Sequence, residues 1–493
     1  MDGVETGTVR TNVPARLDRL PWSAWHWMIV IGLGTVWVLD GLEVTIVGNL
    51  SGQLARPGSG LHITQSQVTG VAAALYVVGA CSGALVFGWL TDRFGRRKLF
   101  MITLGVYLLA TGLTALSFTV WWFMLFRFLT GFGIGGEYAA INSAIDELIP
   151  ARHRGRIDIV INGTFWLGAA LGALLTIPVL SLLPVGLGWR TAFGSGVVLG
   201  LVILLVRRNV PESPRWLFIH GRGRQAEDLV AGIERTVEAE TGTRLAPAGV
   251  YLTIHQRRTV GFRMIVRTLL RRYPRRAVLG FALFIGQAFL YNAVTFGYAQ
   301  ILQTFFGVPP GRTGYYYVAI AVGNLLGPLL LGPLFDTVGR KPMIGGTYLT
   351  SGLLLLTTAY LFARGWLTAV TMTACWCLVL FAASAGASSA YLTVSEVFPM
   401  ETRALAIAFF YAIGTATGGV SGPLLFAKLV GTGRVADAVV AFAIGAFLMI
   451  AAGVVELFLG VRAERKGLES IAAPVTAADA GSGGTAPGDG GRS

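Results

Sequence analysis

The sequence predicts an all-α membrane protein: twelve transmembrane helices in two six-helix halves related by a parallel pseudo-two-fold repeat. Three observations carry this fold class. Of 493 residues, 54% are hydrophobic and 13% are charged, where an average soluble chain carries about 25% charged residues. The apolar residues gather in twelve runs, each near the ~20 residues that a helix needs to cross a bilayer. Two loop motifs then recur, one copy in each half, at nearly equal offset. A soluble chain of this length would divide into two or three polar-coated domains, and the charge to coat them is missing.

Residues 1–25 carry Arg10, Arg16 and Arg19 without the pattern of a cleavable signal, so a cytoplasmic segment is expected before an uncleaved first span. The first half (26–206) holds apolar runs at 26–48, 67–90, 99–118, 120–145, 157–183 and 189–206. A basic central segment, 207–276, follows. In it Ser213 and Pro214 read as the N-cap and first-turn proline of a short helix, and Gln225 to Glu240 as a second. The second half (277–461) holds runs at 277–305, 314–335, 343–362, 367–394, 404–430 and 435–461. The tail, 462–493, is Ala, Gly, Ser and Thr with two prolines from about 472, and is expected to be disordered there.

The net charge of +14 sets topology rather than partners. Most of the 39 Lys and Arg fall in segments on one side of the membrane. That is the positive-inside pattern, so both termini are expected in the cytoplasm and the chain in the plasma (cell inner) membrane. No soluble part is large enough for a nucleic-acid surface. Cys81, Cys375 and Cys377 lie in apolar runs with no ligand-spaced His or further Cys, so no metal is expected. The five histidines lie near loops or span ends and receive no role. A phosphate-cradling G-x-x-x-x-G-K-[ST] loop is missing, as is a nucleophile–base set, so neither nucleotide drive nor enzyme chemistry is expected. The expected partners are a small polar solute, a proton as coupling ion and the lipid bilayer, with a monomeric chain and no cofactor.

After the second run stand Gly88, Asp92, Arg93, Gly95, Arg96 and Arg97. After the eighth stand Gly332, Asp336, Gly339, Arg340 and Lys341. Both copies read G-x-x-x-D-x-x-G-R-[RK]. After the fourth and tenth runs, Glu147 with Arg154 and Glu396 with Arg403 share E-x-x-P-x-x-x-R. Such a duplication places a solute site between halves that rock against each other. Charges at helix ends that pair when one side is closed must separate when it opens, so these residues are expected to gate. Enforcing orientation alone is the competing reading of the basic residues.

These residues resemble the major facilitator superfamily, and more narrowly its sugar-porter-like branch. The Asp92 and Asp336 loops are similar to that superfamily's signature. The stretch Pro211 to Leu217, with Gly221 and Arg222, resembles the sugar porters' segment after span 6. Ala463 to Gly467 resembles their motif after span 12. The resemblance covers roughly residues 26–471 and implies a secondary transporter working by alternating access.

Within the spans, Asp40 and Glu43 share one face of the first, and Arg127 of the fourth precedes Gly131, Gly133, Gly135 and Gly136. A central Asp or Arg costs ~2.5–3.5 kcal/mol on insertion, so such residues usually act. A carboxylate facing Arg127 keeps its charge; deprived of that partner in a dry site it takes a proton. The resemblance implies that an acid of span 1 pairs with the span 4 arginine, and the match falls on Glu43, where the family usually has Asp. Asp40 with Glu43 resembles the acid-Gly-x-acid of aromatic-acid symporters, leaving Asp40 as helper or alternative carrier. A static lock between spans 1 and 4 is the competing reading.

In the seventh span Gln287 and Asn292 are similar to the sugar porters' Gln-Gln-x-x-Gly-x-Asn, with Gly286 in place of the first Gln and Phe289 or Leu290 in place of the inner Gly; Tyr291 stands between them. Amides offer donors and acceptors to hydroxyls, and indoles offer stacking faces. Asn162 and Trp166 of the fifth span, Asn324 of the eighth and Trp376 of the tenth are the further candidates. Amides that only glue helices are the alternative. The expected activity is proton-coupled uptake of a sugar or polyol. The alternative is an organic or aromatic acid met by Arg127; a uniporter, exchanger or non-transporting sensor comes after these.

Overall fold

The computed structural model describes residues 5–207, 211–248, 252–257, 271, 273–309, 312–398 and 403–461. The side chains of Asp92 and Arg403, and the tail with its Ala463 to Gly467 motif, lie outside the described residues.

Twelve long helical segments form the body. Spans 1 to 6 are Ala24–Leu54, Gln67–Ala72 continued by Ala73–Phe94, Arg96–Ala115, Val120–Leu148, Arg154–Gly163 continued by Phe165–Leu182, and Val185–Arg207. Spans 7 to 12 are Pro274–Phe306, Thr313–Thr337, Arg340–Ala363, Ala369–Val397, Arg403–Gly431 and Val435–Leu459. Eleven of these are long and apolar enough to cross a membrane. Span 4, of 29 residues, carries Arg127 and Glu137. Several helices outrun their apolar stretches at one or both ends, because backbone hydrogen bonding continues into the polar loops. Span 2 opens with a π-helical stretch, Gln67–Ala72. Span 5 is interrupted at Thr164, whose hydroxyl donates to Gly34 O at 2.9 Å.

The halves meet along spans 2 and 11 and along spans 5 and 8. Within the first half, glycines bring backbones into contact. A Cβ built on Gly41 would lie 1.8 Å from Phe165 O, and one on Gly168 1.8 Å from Val38 O. Spans 1 and 5 therefore touch main chain to main chain at the level of Asp40 and Glu43, as small residues allow in membranes. Gly131 and Gly135 do the same for span 4, against the carbonyls of Tyr76 and Ala80 in span 2. Gly41→Ala is expected to lower stability by about 1–3 kcal/mol through forced separation of spans 1 and 5. A lower melting temperature in detergent, with Gly196→Ala unaffected, is the check; its Cβ would meet no atom closer than 3.5 Å.

The basic side carries a cap. The sequence pattern places short helices there, and they stand at Pro214–Ile219 and Gly223–Thr241. Ser213 Oγ accepts from Trp216 N at 2.9 Å, the N-cap that Ser-Pro predicts. The cap also includes what local pattern does not reveal: β1 (Glu5–Thr11) pairs antiparallel with β2 (Leu252–Arg257), Val9 opposite Ile254. Partners so distant in sequence leave no local signal. Between them Arg16 pairs with Glu227 and Glu234, and Arg19 with Glu234 at 2.5 Å, fastening the short helix Val13–Asp18 to Gly223–Thr241.

Candidate functional site

Glu43 and Arg127 are both 0% exposed. Arg127 of span 4 donates through Nη1 to Glu43 of span 1. Tyr107 of span 3 approaches Glu43 Oε2 at 3.4 Å. The other Arg127 donors, Nε and Nη2, have no hydrogen-bond partner among the described residues. Aromatic faces stand there instead: the guanidinium carbon is 4.9 Å from the Tyr76 ring centroid and 5.8 Å from that of Phe193. Such faces attract a cation, all the more where water is excluded.

Asp40, one turn before Glu43, belongs to a different setting. It accepts hydrogen bonds from the hydroxyls of Tyr76 and Tyr138 and lines a cavity between the halves. The cavity holds about 130 Å³, the share of about four waters in the liquid, so it suits a small solute. Its walls include Trp37, Tyr138, Phe165, Trp166, Tyr391 and Tyr411, with Gln287, Asn292 and Asn162 among them. Trp37 stacks on Tyr138 at 4.6 Å and Trp166 meets Tyr291 at 5.4 Å. At the cavity residues, Trp37 Nε1 and Thr415 Oγ1 are buried with no hydrogen-bond partner among the described residues. Asn292 and Asn162 each donate to a carbonyl four residues back, at 2.9 and 2.8 Å. Asn292 keeps its carbonyl oxygen available for a donor.

The predicted residues thus fall into three groups. Asp40, Gln287, Tyr291, Asn292, Asn162 and Trp166 come together at the cavity, while Glu43 and Arg127 form their own pair beside it. Asn324 lies behind the wall, accepting from Tyr291 OH at 3.3 Å. Trp376 is a correction: it packs in the second half, 5.3 Å from Phe442 and 6.3 Å from Tyr298. The cavity face of span 10 runs through Ser384, Ser388 and Tyr391, and Trp376 is about 12 Å away along the helix. Trp37, Tyr138, Tyr391, Tyr411 and Thr415 were not anticipated. Trp37, three residues before Asp40, had a usable signal in that spacing; the two second-half tyrosines had none.

The repeated loops form matching ends. Gly95 and Gly339 have φ of 89° and 116°, a conformation suited to glycine, so spans 3 and 9 start directly after them. Arg96 then pairs with Glu147, and Arg340 meets Glu396 at 3.0 and 2.9 Å and Asp336 at 2.5 Å. The central segment joins the first network. Ser213 donates to Glu147, while Glu212 accepts from the backbone N–H of Arg96 at 2.9 Å and of Arg97 at 3.3 Å. A carboxylate there also meets the positive end of span 3. The second network reaches across: Arg156 N of the first half donates to Asp336 at 2.9 Å, and Gly332 lies beneath Ile159. Arg154 contacts Asp18 at 3.4 Å. Gly88 is buried, Arg93 and Arg97 are exposed and Lys341 is half-buried, so of the basic set Arg96 and Arg340 make the buried acid pairs. On the opposite side Gln65 donates to Gln303 at 3.2 Å, so the halves touch on both sides of the cavity.

Known proteins resemble this arrangement. The family profile described as "Sugar (and other) transporter" matches residues 25–473. The niacin transporter NiaP of Acinetobacter baylyi is 27% identical over 93% of this chain and 99% of its own length. Myo-inositol transporter 2 of Schizosaccharomyces pombe is 28% identical over 79% of this chain and 72% of its own. The solved structure of the proton:xylose symporter XylE bound to 6-bromo-6-deoxy-D-glucose superposes with a TM-score of 0.74 at 18% identity, covering 91% of this chain and 98% of that one. At that identity the likeness speaks for the fold. With the profile running from the first span past the last, the chain belongs to the sugar (and other) transporter family of the major facilitator superfamily, and it is a membrane transporter, not an enzyme.

Proposed function

We propose that the chain carries a small, flat-ringed polar solute inward across the plasma membrane together with a proton, its basic side facing the cytoplasm. The observation that carries this reading is the cavity: Trp37, Tyr138, Phe165 and Trp166 offer faces to a ring, with Asp40, Gln287 and Asn292 among them. Beside it stands a buried carboxylate–arginine pair able to hold or release a proton. Arg127 does not line the cavity, so a solute carboxylate meets no fixed cation among its described lining residues. It meets Asp40, and the added negative charge is offset by a proton taken up beside it at Glu43.

A heteroaromatic acid of the kind that the niacin relative's name indicates is the first choice of substrate class. A sugar or polyol is the second, supported by the Gln287 and Asn292 amides and by the myo-inositol relative. Proteoliposomes holding an internal pH dye separate them when nicotinate, benzoate, xylose and myo-inositol are added in turn. Internal acidification above that of protein-free vesicles is expected with the acids. Acidification with the sugars alone reverses the substrate class, and labelled solute entry without any pH change overturns proton coupling.

A further inference from the structure

The solute cavity and the Glu43–Arg127 pair are separate places, yet one side chain belongs to both. Tyr76 donates its hydroxyl to Asp40 in the cavity wall, and its ring centroid lies 4.9 Å from the Arg127 guanidinium carbon. We propose that Tyr76 is the positioning residue that couples occupancy of the cavity to protonation of Glu43. The inference rests on the proton-symport reading above.

Backbone packing fixes where Tyr76 stands. Its carbonyl lies against Gly131, where a Cβ would come within 2.0 Å. Gly131 is about one turn from Arg127 on the same helix, so the Tyr76 backbone cannot retreat from the guanidinium. What can change is the partner of its hydroxyl and the tilt of its ring. Just before it span 2 is π-helical, and a Cβ built on Gly70 in that stretch would lie 3.8 Å from Ala427 and Leu424 of span 11. The helical ladder is already irregular where the other half leans on it, a common feature of working sites.

A solute that hydrogen-bonds to Asp40 competes with the Tyr76 hydroxyl. The released ring turns, and Arg127 loses the face beneath it. Two of its nitrogens have no hydrogen-bond partner among the described residues, so the ring and Glu43 are its principal holds on that side. Arg127 then shifts from Glu43, whose carboxylate takes a proton from water. By reciprocity, protonated Glu43 tightens solute binding. The other titratable groups facing the two acids are Tyr107 of span 3, Glu137 and Tyr138 of span 4, Tyr391 of span 10 and Tyr411 of span 11, with Cys81 near the last two. Tyr138 supplies the internal comparison. It also donates to Asp40, but its ring stacks on Trp37 rather than on Arg127.

Two quantities in proteoliposomes test the idea: protons taken up per labelled solute, and solute counterflow, which needs no net proton movement. Tyr76→Phe is expected to lose at least about half of its protons per solute carried, a ratio that a change in solute binding alone does not move. Tyr138→Phe is expected to weaken solute affinity and keep the wild-type ratio. Asp40→Ala removes the acceptor and severs the same link from its other end, so it also lowers the ratio and serves should Tyr76→Phe fail to reach the membrane. A wild-type ratio in Tyr76→Phe, or in Asp40→Ala, overturns the proposal, as does an equal fall in Tyr138→Phe. Wild-type protein that takes up solute with no protons at all overturns the symport reading itself, a different result from an unaltered ratio in the variants.

Discussion

In Glu43→Gln, solute-driven proton uptake is expected to vanish while exchange of labelled solute across the membrane persists. The amide keeps the length of the side chain and can still accept from Arg127, but it has no site for a transferable proton. Net accumulation against a gradient should therefore fall to equilibration. Stability should fall as well, because Arg127 is left buried beside a neutral group; losing one member of a buried pair costs about 3–5 kcal/mol. Replacing both members separates the two roles. In Glu43→Leu with Arg127→Leu no buried charge is stranded, so melting is expected to return towards wild type, while proton coupling stays absent. A pH dye and a melting curve on the same preparations make the comparison. Undiminished proton uptake in Glu43→Gln would move the proton to another group, with Asp40 next in line because its carboxylate lines the cavity and is held by two hydroxyls.

What could be read from sequence, and what could not, follows the same physics. Charges inside apolar runs are costly, which made Asp40, Glu43 and Arg127 conspicuous, and the structure brings Glu43 to Arg127 across spans 1 and 4. Amides in such runs are conspicuous for the same reason, and Gln287, Asn292 and Asn162 line the cavity. Aromatic residues are different. They suit lipid, core and cavity alike, so Trp376 could be placed at the solute and Tyr391 and Tyr411 passed over, when span 10 turns Trp376 into packing against Phe442. Depth along the span and helix rotation decide this, and apolar spans carry little periodicity to reveal either. The loop motifs were legible as a repeat, yet Glu212 and Ser213 were not read as members of the first gate, since their partners Arg96 and Glu147 lie far away in the chain. The β1–β2 ribbon escaped for that reason too.

Arg340→Ala is expected to open the basic side. Arg340 is buried and donates to Glu396 through Nε and Nη2, to Asp336 and to Phe335 O. Its loss strips a buried network of its cation, at about 3–5 kcal/mol. Most of that loss should fall on the closed arrangement, because the network is where the halves touch. Arg156 N reaches Asp336 from the first half, and a Cβ on Gly155 would lie 2.4 Å from Arg340 Nη1. If about 3 kcal/mol is lost from the closed state alone, the balance moves by about 150-fold towards opening on that side. A cysteine at Ser388, in the cavity wall, reports it in a background lacking Cys81, Cys375 and Cys377. Alkylation by an impermeant maleimide applied from the basic side should accelerate strongly in Arg340→Ala. The first-half counterpart, Arg96→Ala, should give a smaller acceleration. Its partner Glu147, which also accepts from Ser213, and Glu212 tie span 3 to span 4 and the central segment, and Glu212 still meets the start of span 3. Unchanged alkylation in Arg340→Ala, with melting lowered all the same, would make Arg340 a static brace of the second half and remove it from the gate.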